Sequence, residues 1–184
     1  MSIDYQKSIE TFSKNQLKRI PVMTINHTIR VLKLSRELAK NNPCDMELLE
    51  NAIFLHNIGA AESVKNATDP FKMSAAIAKR HMMKIGYPMQ KIEQVMDIMD
   101  SLELNARPER IESKILHDAY YLDILSKEGS VELVMYLALL RKDPRSPLIV
   151  LKDLIAMFPR YLLLPESERI GRENVNALDA FINR

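Results

Sequence analysis

Three polar residues occupy positions that a buried helix face should reserve for apolar ones. His27 opens a stripe that continues through Val31, Leu34 and Leu38. Leu49, Ile53 (or Ala52) and His56 form a second stripe, and Ile111, Ile115, Asp118, Leu122 and Leu125 a third. Steps of three and four mark one side of an α-helix. Three separate helices therefore each aim one His or Asp inward. A carboxylate buried in its ionised form without a partner costs several kcal/mol or more. Asp118 thus needs a partner, and the two imidazoles are the candidates. Two imidazoles and a carboxylate can hold a divalent first-row metal. They can equally form a plain buried hydrogen-bond network, and spacing alone leaves both open.

The elements that would position these residues are all helical. Helices are expected over about Asp4–Lys18, Thr24–Lys40, Met46–Asn57 (with Asp45 as N-cap), Phe71–Ile85, from Pro88 onward, from Pro108 to near Gly129, Val131–Arg141, from Pro147 to about Leu164, and after Gly171. Residues 60–70 read as a polar loop, and Asp143-Pro144 and Ser146-Pro147 as another. No strand is predicted. A chain of 184 residues, 47% hydrophobic and 27% charged, is expected to form one domain with a real core. Lys+Arg number 26 against 24 Asp+Glu, with no long basic run, so no specific nucleic-acid partner is expected. The single cysteine, Cys44, excludes an intrachain disulfide and a cysteine-based zinc site. Met1 to Arg19 lack the apolar core of a signal peptide, and no stretch approaches the roughly 18 apolar residues of a membrane span. A cytoplasmic protein without a membrane partner is expected. Only 4 glycines occur, and no Gly-rich phosphate loop is among them.

The local segments narrow the reading. Asn26-His27-Thr28-Ile29-Arg30-Val31 opens one helix, Leu55-His56-Asn57-Ile58-Gly59 closes another, and Leu116-His117-Asp118-Ala119-Tyr120-Tyr121-Leu122-Asp123 lies on a third. In that order they resemble the HD-domain superfamily of metal-dependent phosphohydrolases, over roughly residues 24–128. The resemblance implies an all-α single-domain bundle: an N-terminal helix in 1–23, the HD-like core in 24–128, and additional C-terminal helices in 129–184 packed on it. It also implies one divalent transition metal (Fe, Mn, Ni or Zn) held by His27, His56, Asn57 and Asp118. Asn57 stands where the family has Asp, so the site loses a charge and a potential base. Catalytic roles fall on Asn57 and Asp118. Arg30 and Lys72 are the cations available to a small phosphate-containing ligand, with Arg80 next.

Other family features are absent. No histidine occurs in Pro70-Phe71-Lys72-Met73-Ser74 or Ile98-Met99-Asp100-Ser101-Leu102, which speaks against a second metal. His81 reads as an ordinary partly exposed histidine, His117 as a non-ligand pointing about 100° away from Asp118 around the helix, and Asp97 and Asp100 as solvated. Asp123 reads as bonded within its own helix neighbourhood, and Tyr120 and Tyr121 as packing residues. Two functions follow. One is a metal-dependent phosphohydrolase acting on a nucleotide or small phosphate ester through a degraded one-metal site. The other is a non-catalytic HD-like module for signalling or protein contact. In that second case the apolar segment from Leu148 to Leu162 and the Met-rich faces would offer a partner surface, including a homodimer through the C-terminal helices.

Overall fold

Segments with three-and-four periodicity are helical, and no strand occurs among the described residues, 4–103, 106–140 and 147–182 of the computed structural model. The helices are α1 (Tyr5–Leu17), α2 (Ile25–Ala39), α3 (Met46–Leu55), α4 (Ala60–Asn66), α5 (Pro70–Lys84), α6 (Met89–Asp100), α7 (Ile111–Ile124), α8 (Lys127–Leu140), α9 (Pro147–Met157) and α10 (Pro165–Ile182), with a 3₁₀ turn at Phe158–Arg160 between the last two. The fold is all-α, as expected. The side chains of Asp4, Thr24, Asp45 and Asp69 cap α1, α2, α3 and α5 by accepting backbone N–H groups. Each such cap is worth about 1 kcal/mol.

Four boundaries differ from expectation. Residues 60–70 are not all loop, because Ala60–Asn66 make a short helix that ends at Ala67 in the left-handed region (φ 52°). Gly129 lies inside the first turn of α8 rather than ending the preceding helix. Its missing Cβ lets that turn sit on α7, since a Cβ there would meet the Asp123 carbonyl oxygen at 1.9 Å. Gly171 lies within α10, not before it, and a Cβ there would meet Leu162 and Phe158 at 2.8 and 3.0 Å. The segment from Pro147 to Leu164 is also not one helix, since α9 stops at Met157 and gives way to the 3₁₀ turn. The expected loop around Asp143-Pro144 lies outside the described residues.

At the centre is α7, which packs on α2, α3, α6, α8 and α10. Ten of its 14 residues are buried, so it has no single inward stripe. Leu49, Ile53, Leu55 and Ile92 surround its Ile115, Leu116 and Leu122 in the main core, and Leu164 from the C-terminal part joins the same cluster. A smaller cluster joins Ile124 and Leu133 to Leu151 and Leu178.

Candidate functional site

His27 sits in the first turn of α2 and His56 caps the end of α3, and the packing of α2 on α3 and α7 brings them together. Their Nε2 atoms lie 3.0 Å apart. The other nitrogen of each ring has a different acceptor. His56 Nδ1 lies 2.6 Å from the Ile53 carbonyl, so Nδ1 carries the hydrogen. His27 Nδ1 lies 2.6 Å from Oδ2 of Asp123 and donates to it. Burial, reinforced by the neighbouring His27, pushes His56 down to about 3, so the His56 ring stays neutral with its Nε2 directed at His27.

Asp123 faces both His27 and Arg30. Burial alone would push its carboxyl up, but hydrogen bonds and charges from His27 and Arg30 outweigh burial and hold it below the ordinary range. Arg30 lies one turn along α2 from His27 and grips both Asp123 oxygens, at 2.6 and 3.1 Å. It also reaches Glu132 of α8 at 3.3 Å. Burial would pull the Arg30 guanidinium down, yet its bonds to Asp123 and Glu132 raise it further above its already high value. His27 (0% exposed), His56 (1%) and Asp123 (1%) are thus buried together, with Arg30 supplying the guanidinium that faces the Asp123 carboxylate.

The expected ligands divide at this point. His27 and His56 are brought together, and Asp118 and Asn57 are not brought to them by any hydrogen bond. Both oxygens of Asp118 accept the Leu163 N–H at 3.0 Å, and Oδ2 accepts the Leu164 N–H at 2.8 Å. His117 Nδ1 lies 3.1 Å from Oδ1. Asp118 therefore finds its compensation in the segment before α10, not in the histidines. Asn57 donates from Nδ2 to the Met23 carbonyl at 2.8 Å, bracing the turn where Met23 adopts φ 52°. Arg30 binds carboxylates, and Lys72 is exposed on the first turn of α5. His117 is buried and packs beside Tyr121, which stacks on Tyr161.

Two residues of the site were not singled out by periodicity. Asp123 is one. Because α7 is buried nearly all round, a position outside the Asp118 stripe can still face a partner, and the sequence signal was Arg30, a cation one turn from a core histidine. Tyr120 is the other. Its ring stands edge-on to both imidazoles, with centroids 5.7 Å from His27 and 6.0 Å from His56, and Phe71 packs on it at 5.7 Å. Burial pushes its hydroxyl well above the usual phenol range.

A four-ligand metal does not fit these side chains. Only two imidazole nitrogens converge, and no group of three or more His, Cys, Asp or Glu suited to a metal occurs among the described residues. What the arrangement does is lock two imidazoles, one carboxylate and one guanidinium into a single buried hydrogen-bond network.

No curated protein matches the sequence. Solved structures share the fold. A Lactobacillus plantarum protein aligns with TM-score 0.79 at 15% identity, over 100% of this chain and 96% of that one. Bacillus subtilis YpgQ, in complex with ADP, aligns with TM-score 0.68 at 18% identity, over 97% and 94%. A predicted HD superfamily hydrolase from an uncultured Thermotogales bacterium aligns with TM-score 0.64 at 18% identity, over 97% and 89%. The model of the HD domain matches residues 24–125, and with more than half its length in that match the chain belongs to the HD-domain family.

Proposed function

We propose that this chain is a non-catalytic member of the family, a helical module for signalling or protein contact rather than a working phosphohydrolase. The observation that carries this reading is how Asp118 and Asn57 are used. Each is bonded to backbone rather than to the histidines, and His27, His56, Asn57 and Asp118 are only 0, 1, 4 and 0% exposed. Hydrolysis of a phosphate ester needs the phosphoryl group, an activated water and a stabilising cation in one place. A nucleotide cannot reach atoms that exclude water. Asn57 has no base to offer either, since an amide takes up no proton in this range. A module of this kind acts through its surface. Val131, Met135, Leu148 and Ile149 on α8 and α9 stand 47, 49, 52 and 48% exposed, an apolar face on which a homodimer would form.

A one-metal phosphohydrolase is the second reading. It is favoured by the Nδ1 partners of the two histidines, which orient both Nε2 atoms as the outer partners of metal-bound imidazoles do. One experiment separates the two. Protein purified without chelator or metal-affinity column is analysed by elemental mass spectrometry. It is then assayed for phosphate release with Mn, Fe, Ni and Zn, starting from ADP because YpgQ was solved with it. The expected result is no stoichiometric metal and no metal-dependent release. About one metal per chain, lost on His27→Ala together with hydrolysis, would overturn the non-catalytic reading.

A further inference from the structure

A cleft of about 630 Å³ opens between α1, α4 and α5, lined by residues outside the histidine network. One wall is aromatic. Phe12 of α1 and His81 of α5 stack face to face, with ring centroids 3.7 Å apart and planes 3° apart. Ile77, one turn before His81, continues that wall. Burial and the nearby charge of Lys84 push His81 down, so the ring presents a neutral face near pH 7. Its Nε2 is buried without a hydrogen-bond partner.

The rim is cationic. Arg19 is matched by Glu62 across the cleft. Arg80 and Lys84 are exposed and take no ion pair among the described residues. They project from α5 at the same turn as His81, so two uncompensated cations border an apolar, partly aromatic wall. Binding clefts for small molecules have this composition, and this volume lies inside their usual range of roughly 300–1,000 Å³.

We propose that this cleft binds a small organic anion with a flat apolar body and one carboxylate, sulfonate or phosphate. The body lies along Phe12, Ile77 and His81. The anionic end meets Arg80, whose planar fork suits an oxyanion, and Lys84. None of these residues belongs to the His27–Asp123 network, so the cleft stands whether or not the histidines ever hold a metal.

The test is an NMR titration of the full chain with 2-naphthoate and with its neutral counterpart 2-naphthamide. Saturable one-site binding of naphthoate is expected, with shifts centred on Phe12, Ile77 and His81 and a Kd on the order of 1 mM or tighter for a ligand of this size. Naphthamide should bind at least tenfold more weakly. The double variant Arg80→Glu/Lys84→Glu, on exposed positions, should weaken naphthoate tenfold or more while keeping the helical spectrum. Lys33→Glu on α2 should leave binding unchanged. Shifts centred elsewhere, equal binding of the amide, no saturation, or indifference to the double variant would each overturn the proposal.

Discussion

A carboxylate with no solvent must be answered by donors, and at Asp118 the donors are two backbone N–H groups and a histidine. Asp118→Ala leaves both N–H groups without their acceptor, at a cost of about 3 kcal/mol. Denaturant melts should register that loss directly, whereas a residue serving only a metal would lose metal and little stability. The histidine pair makes a prediction in pH. His56 in the fold is held near 3, against about 6.5 in an unfolded chain. A depressed pKa means that the unfolded state takes up the proton first. Stability from His56 is therefore complete above about pH 6.5 and falls as the pH drops toward 3, on the order of 1 kcal/mol per unit. Asp123, also held low, adds to the loss below about pH 4. Thermal melts from pH 7 to 5 should show the decline, and His56→Gln, which keeps a polar side chain beside His27 but cannot titrate, should flatten it. An unflattened slope would place the titrating group elsewhere.

At the scale of elements, contact between helices depends on a few small residues. The start of α8 rests on the end of α7 because Gly129 has no side chain, and the atoms that a Cβ would strike are the carbonyl and Oδ2 of Asp123. Gly129→Ala should cost about 3 kcal/mol through overpacking against backbone. It should also displace Asp123, visible as shifted His27 and Arg30 side-chain resonances. A Gly129→Ala protein with native stability and unmoved His27 signals would refute the close approach. This contact also explains what could be read from the chain beforehand. The helices α1, α2 and α5, each with a wet face, were legible within a residue or two from periodicity and caps, as were the start of α3 at its Asp45 cap and the inward positions of His27 and His56. Helix α7 was not, because a helix buried on nearly every side has no polar face to fix its phase. Asp118 was rightly placed inward, but its partners stand 45 and 46 residues later in backbone that carries no sequence signature. Gly129 and Gly171 looked like punctuation and are packing residues, a distinction that only the neighbouring helix makes.

Across the whole molecule, the C-terminal helices are part of the core rather than an ornament on it. Leu164 lies in the main cluster with Ile53 and Leu116, and Leu178 closes a second cluster with Ile124. A chain ending at Leu140 would uncover both and leave Asp118 without its backbone donors. It should lose its cooperative thermal transition by circular dichroism, and a truncated chain that still melts sharply would show that residues 24–128 stand alone. The same clamp sets a schedule for biosynthesis. Leu164 leaves the ribosome 46 residues after Asp118, a delay of about 2 to 9 s at ordinary elongation rates. Throughout that interval the nascent bundle holds a carboxylate at its centre with His117 beside it but neither of its two backbone donors. The native core therefore cannot close during synthesis of its own helices, and the nascent chain waits, hydrated and open to chaperones, for the last fifth of its sequence.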